Sequence, residues 1–306
     1  MQSIMNCHNY IKSFLKRVRL AVLYRTAKFY KSDEKFLKKL FRVRMGEELN
    51  IENPQTFSEK LQWLKIYNRH DLQTKMVDKV EAKKYVAELI GEEYIIPTLA
   101  VYDTPDQIDF ESLPNQFVLK CTHDSGGVVV CKDKSTLNKD EVRAKFGKWL
   151  KTNYFYQNRE WPYKNVKPRI IAEEYISNTG CDDLPDYKIF CFNGTPRYCQ
   201  VIAGRGTDVT TIDWYNNEWE HQPFHEPRNY PFSKTAHDKP ARYDEMMNLA
   251  CKLSNNQPFL RVDFYEVNNA IKFGELTFFP TSGMGGFAPE EWDYTFGSLI
   301  KLPYNK

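Results

Sequence analysis

The chemistry this chain could perform is easiest to locate in two short strand-like segments near its C-terminal end. In Leu260-Arg-Val-Asp-Phe-Tyr265, strand alternation puts Arg261 and Asp263 on one face and Val262 and Phe264 on the other. In Phe273-Gly-Glu-Leu-Thr-Phe278, Glu275 and Thr277 share a face, and Leu276 and Phe278 take the opposite one. Two carboxylates on neighbouring strands beside an arginine suit a divalent cation that bridges phosphate oxygens. That reading carries a geometric condition. A two-residue turn at Asn268-Asn269 pairs Asp263 with Gly274 and turns Glu275 to the wrong face, whereas a three-residue loop, Asn268–Ala270, pairs Asp263 with Glu275. An odd loop or a bulge is therefore required. The plainer alternative is a pair of exposed strand acids, balanced by Arg261 or Lys272.

A second constellation lies upstream. The loop Thr122-His-Asp-Ser-Gly-Gly127 joins two apolar β-rich segments, with Lys120 on the first. Consecutive glycine amides and a hydroxyl can form a concave donor set around phosphate, and a fixed ammonium adds a point charge. An ordinary glycine hairpin with a surface lysine is the alternative. Glu173 and Glu174 end the apolar run of Ile170-Ile-Ala-Glu-Glu-Tyr-Ile176, where acids can hold a ribose or an adenine edge or simply meet solvent. Other motifs are missing or weak. There is no G-x-x-x-x-G-K-[ST] loop. Gly283-Met-Gly-Gly-Phe-Ala288 matches a dinucleotide fingerprint formally, but Pro289 and the acidic segment after it argue against one. No Ser–His–Asp or Cys–His–Asn order stands out, and His221, His225 and His237 read as solvated loop residues.

These groups must be held by α and β elements in mixed order. Thr56-Phe-Ser-Glu59 is a capping box that opens a helix. Another helix is expected from Leu72 to Ile90, stopped by Gly91. Strand character follows at Tyr94–Ile96, then a Pro- and Asp-rich linker, Asp103–Pro114. Strands are expected at Phe117–Thr122, Val128–Lys132 and Arg169–Ile176, with a helix at Lys139–Leu150 behind an Asn138 cap. Asp186–Phe192 and Thr195–Ile202 flank the hairpin turn Asn193-Gly194. A loop-rich stretch, Asn216–Pro240, precedes a helix at Arg242–Ser254, and a last helix is expected near Glu290–Lys301. Mixed order with several hairpins indicates an α+β fold rather than a doubly wound sheet.

Bulk properties narrow the partners. With 306 residues, the chain is long enough for two or three lobes, and it has no run of ~20 apolar residues. Net charge is only +3, yet residues 1–45 carry twelve Lys/Arg against Asp33 and Glu34. A basic arm on a mildly acidic body is not a nucleic-acid footprint. Within the arm, Ile11–Tyr30 reads as a basic amphipathic helix, with Phe14, Leu15, Val18 and Val22 at helical spacing beside Lys16, Arg17, Arg19 and Arg25. It can lie on an anionic membrane surface or pack on the body. The seven cysteines include no C-x-x-C pair, and the start lacks the order of a signal peptide. A cytoplasmic location is expected, with peripheral attachment to the inner face of the membrane as the variant that residues 11–30 allow.

Several separated segments resemble one known family. Asn53-Pro-Gln-Thr-Phe-Ser-Glu-Lys-Leu-Gln-Trp-Leu64, Phe117-Val-Leu-Lys-Cys-Thr-His-Asp-Ser-Gly-Gly127, Arg159-Glu-Trp-Pro-Tyr-Lys164, Ala172-Glu-Glu-Tyr-Ile176, Asp186-Tyr-Lys-Ile-Phe-Cys-Phe-Asn-Gly194 and Phe273-Gly-Glu-Leu-Thr-Phe-Phe-Pro280 are similar to the TupA-like branch of the ATP-grasp superfamily. The similarity runs from about Arg44 to Pro303. It implies an ATP-grasp fold, two α+β lobes gripping ATP, after a helical N-terminal region. The implied divisions are residues 1–45 as basic helices, 46–115 as a preceding region, 116–175 as the small lobe with the glycine loop, and 176–306 as the large lobe with the metal site.

The resemblance also implies roles. Lys79 and Lys83, after Asp78, match the start of the central region where a lysine reaches phosphate. Lys120 matches the second phosphate lysine, and Ser125, Gly126 and Gly127 the loop that closes over the phosphates. Glu173 and Glu174 match the hinge at the adenine edge, with Ile176 just beyond. Asp186 sits at the ribose-binding acid, and Lys188 joins the nucleotide-binding set. Arg261 matches the residue that steadies the transferred phosphoryl group, and Asp263, Glu275 and Thr277 match the Mg²⁺ ligands. Thr277 stands where the wider superfamily has Asn, which leaves the second metal's ligands open. Arg205 in Ala203-Gly-Arg-Gly206 is either an anion anchor or a plain turn residue.

The implied activity is an ATP- and Mg²⁺-dependent carboxylate–amine ligase acting through an acyl phosphate. Its implied substrates are a small-molecule or lipid-linked uronic-acid sugar of a surface polysaccharide and an amino acid. Two other readings stand beside it. One is a glycosyltransferase using a nucleotide sugar, with Asp182, Asp183 and Asp186 holding a metal–diphosphate. The other is a catalytically silent nucleotide-binding protein.

Overall fold

A computed structural model describes residues 2–179, 183–205, 209–226 and 230–303; Asp182 and Gly206 lie outside them. The basic arm is two helices, α1 (Gln2–Thr26) and α2 (Asp33–Met45). Ser32 caps α2 by accepting from the Lys35 amide at 3.2 Å, and Gly46 ends it at φ 89°. Phe36, Leu37, Leu40 and Phe41 of α2 are buried, against Leu23 and Ala27 from the other side of the turn. The expected capping box is present: Thr56 opens α3 (Phe57–Tyr67), accepting from the Glu59 amide at 3.1 Å while Glu59 accepts from the Thr56 amide at 3.1 Å.

The single helix expected over Leu72–Ile90 is two, α4 (Asp71–Val77) and α5 (Glu81–Ile90). Asp78 breaks it. At ψ 114° its carboxylate accepts from the Val80 amide at 2.9 Å and pairs with Arg169 at 2.9 Å. Short acids compete with the helical ladder in this way. Gly91 stops α5 as expected, at φ 116°. The strand expected at Tyr94–Ile96 is displaced: Glu92–Tyr94 is a helical turn, and the strand is β1 (Thr98–Tyr102).

Two antiparallel sheets follow. The smaller combines β1 with β2 (Phe117–Cys121), β3 (Val128–Cys131) and β4 (Ile170–Glu174) in the order β1-β4-β2-β3. Phe117, Leu119 and Cys121 alternate inward onto Val142 and Phe146 of α6 (Lys139–Trp149), whose Asn138 cap accepts from the Glu141 amide at 3.0 Å. A short helix, α7 (Phe155–Asn158), leads back towards the arm.

The larger sheet contains β5 (Asp186–Phe192), β6 (Thr195–Ala203), β7 (Thr211–Asn216), β8 (Phe259–Val267) and β9 (Ala270–Thr277), ordered β7-β6-β5-β8-β9. Asn193 and Gly194 turn between β5 and β6 at φ 49° and 79°, the left-handed pair that a two-residue hairpin needs. Helices α8 (Tyr243–Ser254) and α9 (Glu291–Leu299) close this lobe. Phe57 of α3 meets the rings of Phe259 and Phe296, which seats the N-terminal region on the larger sheet.

Candidate active site

The condition set by the sequence is met through a bulge. The β8–β9 turn has two residues, Asn268 and Asn269, at φ 47° and 64°, with Val267 opposite Ala270. The register then slips: Phe264 pairs with Phe273, but Asp263 pairs with Glu275, which leaves Gly274 as the extra residue. A Cβ at Gly274 would lie 3.1 Å from the Tyr265 ring and 3.2 Å from the Asp263 carbonyl oxygen. Glycine thus permits the bulge, and the bulge brings both carboxylates and Thr277 to one face.

Arg261 lies in the middle of that face. Its Nε donates to Asp263 Oδ1 at 2.7 Å. Its Nη2 donates to Asp263 Oδ2 at 2.7 Å, Glu275 Oε1 at 2.8 Å and Thr277 Oγ1 at 3.0 Å. One cationic nitrogen therefore sits where the three expected metal ligands converge. It is a stand-in for a cation, and an oxygen-rich set of two acids and a hydroxyl fits Mg²⁺. Lys188, directly opposite Asp263 on β5, also lies against Asp263 Oδ2. Burial pushes the Asp263 carboxyl up, and Arg261 and Lys188 oppose it. Desolvation would raise Glu275 too, but Arg261, Lys188 and Lys79 hold it down at about 2.

The smaller sheet carries the opposite charge pattern. Lys83 from α5 and Lys120 from β2 each take one oxygen of Glu173, both at 2.5 Å. Burial would raise the Glu173 carboxyl, but Lys120 and Lys83 prevail and lower it. Its side chain therefore orients two lysines and is not free to hold an adenine edge. Glu174 is exposed and its amide donates to the Pro97 carbonyl at 3.1 Å; Ile176, just beyond, is half-buried.

The glycine loop is folded onto its own acid. Asp124 Oδ1 accepts from the amides of Gly127 at 3.0 Å and Gly126 at 3.3 Å, while Ser125 is exposed. A Cβ on Gly127 would lie 2.7 Å from Cys121 Sγ. Lys79 joins the halves: its ammonium donates to the Asp124 carbonyl at 2.5 Å, and its pKa, lowered by burial, is supported by the charges of Glu275 and Asp124.

Asp186, also buried, pairs with Arg205 at 2.5 Å and bonds the Tyr265 hydroxyl. Arg205 thus anchors a protein carboxylate here, and Asp183 accepts from the Gly204 amide at 2.9 Å. Of the acids of the glycosyltransferase reading, Asp183 and Asp186 are engaged locally, and Asp182 lies outside the described residues.

Two clusters escape the sequence reading. His221 is exposed and His237 half-buried, as loop residues, yet both are engaged: their Nε2 atoms meet the buried carboxylate of Asp213 at 3.0 and 3.2 Å, clamping the stretch after β7. Beyond β9, Thr281 and Ser282 adopt φ 52° and 58°, a strained turn for non-glycine residues. Lys65 donates to the Ser282 carbonyl at 2.7 Å, and the Ser282 hydroxyl donates to Glu160 at 2.7 Å. Burial pushes Lys65 down to about 7, against the pull of Glu160. The available signal was a lysine at the i+4 position after Leu61 on the buried stripe of α3.

Taken together, a glycine loop with lysines on one antiparallel sheet faces an Arg–Asp–Glu hairpin on another, the organisation of an ATP-grasp protein. The sequence profile of the TupA-like ATP-grasp family matches residues 59–301, and the chain belongs to that family. Among solved structures it is similar to D-alanine–D-alanine ligase from Bacillus anthracis complexed with ATP, at 16% identity over 74% of this chain and 64% of that one, TM-score 0.44. A RimK-domain ATP-grasp protein from Sphaerobacter thermophilus matches at 9% identity over 74% and 69% of the chains, TM-score 0.41. The D-alanine–D-alanine ligase from Helicobacter pylori matches at 15% identity over 80% and 69%, TM-score 0.40. The chain spans less than two thirds of the Bacillus anthracis ligase. Comparison with curated proteins found no significant match.

Proposed function

We propose that the chain is an ATP- and Mg²⁺-dependent carboxylate–amine ligase that joins an amino acid to a uronic-acid sugar. The observation that carries the reading is the convergence of Asp263 Oδ2, Glu275 Oε1 and Thr277 Oγ1 on one cationic nitrogen of Arg261, with Lys79 linking them to the glycine loop. A carboxylate is a poor electrophile because its leaving group would be oxide. Transfer of the γ-phosphoryl of ATP gives an acyl phosphate, and attack by the amine nitrogen expels phosphate and leaves an amide. Asp263, Glu275 and Thr277 would hold Mg²⁺, which supplies charge neutralisation between phosphate oxygens.

The protein's own groups supply position and field. Arg261, turned from the acids to the transferring phosphoryl group, steadies its charge. Lys79, Lys83 and Lys120 take the remaining phosphate oxygens, with Glu173 fixing the last two. The Gly126 and Gly127 amides exchange the Asp124 carboxylate for phosphate, and with Ser125 they exclude water that would hydrolyse the acyl phosphate. Asp186 and Lys188 hold the nucleotide from the larger sheet, and the Glu174–Ile176 hinge borders the base. The sugar and amino-acid assignments rest on the family's association with surface polysaccharides.

Incubation with ATP, Mg²⁺, pooled uronic acids and amino acids tests this, with ADP and phosphate as readouts. Release of both that needs the carboxylate and the amine together supports the ligase. Release of nucleoside diphosphate from a nucleotide sugar without ATP overturns it.

A further inference from the structure

The ligase reading makes no use of α1, which has two apolar faces. One is bound: Leu23 and Ala27 are buried, Leu20 packs with them, and the Lys16 ammonium donates to the Arg44 carbonyl at 2.8 Å. The other is bare. Phe14, Leu15, Val18 and Val22 are 56, 47, 44 and 55% exposed. At ~100° per residue these four fall within an arc of about 100°, opposite the bound face. Phe29, in the turn after the helix, continues the stripe and is 72% exposed. The charges border the stripe: Arg19 flanks it on one side, Arg17 and Lys28 on the other, and Arg25 closes its C-terminal end within the same arc, all exposed.

We propose that this outward face of α1 docks the protein on an anionic phospholipid surface, lying in the headgroup plane with the stripe dipped into the acyl boundary. An apolar arc bordered on both sides by cations is the arrangement an interfacial helix needs. The charge decides between occupants. A second copy would bring another arm with twelve Lys/Arg and two acids against this one, which is repulsive, whereas acidic headgroups are complementary. The helix does not cross the bilayer, since no described helix is long and apolar enough to do so. Docking by α1 places the body at the membrane surface, where the lipid-linked acceptor of the proposed function would be found.

Co-sedimentation of the full chain with vesicles of equal parts phosphatidylcholine and phosphatidylglycerol, beside vesicles of phosphatidylcholine alone, tests this. The wild-type chain should sediment with the anionic vesicles and be released by salt. The triple variant Phe14→Ser, Val18→Ser, Val22→Ser should lose on the order of 100-fold in partitioning with an unchanged melting temperature, because these side chains face solvent. Arg17→Gln, Arg19→Gln and Lys28→Gln should each weaken it about fivefold. Three results overturn the proposal: no wild-type binding to anionic vesicles, a stripe variant that sediments like wild type, or a dimer that the stripe variant abolishes while neither form sediments.

Discussion

The two sheets hold mirror-image charge sets. On the smaller, cations surround an internal anion, Lys83 and Lys120 on Glu173. On the larger, anions surround an internal cation, Asp263 and Glu275 on Arg261. On the larger sheet Arg261 and Lys188 balance Asp263 and Glu275, whereas Glu173 offsets only one of the two charges on Lys83 and Lys120, so the smaller set keeps one positive charge for an anionic ligand. The halves differ in support. The hydrophobic core under the larger sheet contains 35 buried residues among those described, and that under the smaller sheet eleven. On β3 the outer side chains Val128 and Val130 are 43 and 52% exposed. The acid half therefore rests on the larger core and the lysine half on a smaller, more exposed one, the difference expected between a platform and a moving part.

The comparison breaks most visibly at Asp263. Asp263→Asn removes the partner shared by Arg261 and Lys188 and one expected metal ligand, so ADP release should fall on the order of 10³-fold in steady-state assays. Glu173→Gln leaves its two lysines without a fixed orientation. Its loss should be smaller, about 10²-fold, with the ATP KM raised as well, because the small lobe can adjust. If Glu173→Gln costs more than Asp263→Asn, the ranking of platform and moving part is reversed.

A structural rather than chemical break is Gly274→Val. Its Cβ would lie 3.1 Å from the Tyr265 ring and 3.2 Å from the Asp263 carbonyl oxygen, so urea unfolding should show a loss of about 1–3 kcal/mol. Activity should fall too, since a slipped register turns Glu275 off the shared face. The smallest effect is in pH. Glu275 has its folded pKa depressed to about 2, below an unfolded value of about 4.3. Its contribution to stability is full above about pH 4.3 and is lost as pH falls towards about 2. Glu275→Gln should flatten the stability curve in that window.

Much of this was legible in the sequence where alternation or capping is strong. The Thr56 box, the Asn138 cap, the Asn193-Gly194 turn and the facing of Arg261 with Asp263 follow from local rules. The parity condition at Asn268 was legible as well, but not its solution: a glycine one residue before Glu275 reads as a weak strand position until the bulge is seen. Strand β7 was missed because Ile212, Asp213, Trp214 and Tyr215 are all buried, so no period of two survives. Strand β1 was placed a few residues too early for the opposite reason, being exposed or half-buried throughout. The Asp78–Arg169 pair and the Lys83–Glu173–Lys120 triad join residues about 50 to 90 positions apart in the chain, which no local window contains.

Calorimetric titration with ATP, with and without Mg²⁺, tests most directly whether both sheets form one ATP site. One site per chain that binds tightly only with Mg²⁺, and loses that dependence in Asp263→Asn, is the predicted result. Equal binding in the presence of a chelator, or an Asp263→Asn protein with an unchanged Mg²⁺ dependence, would contradict it.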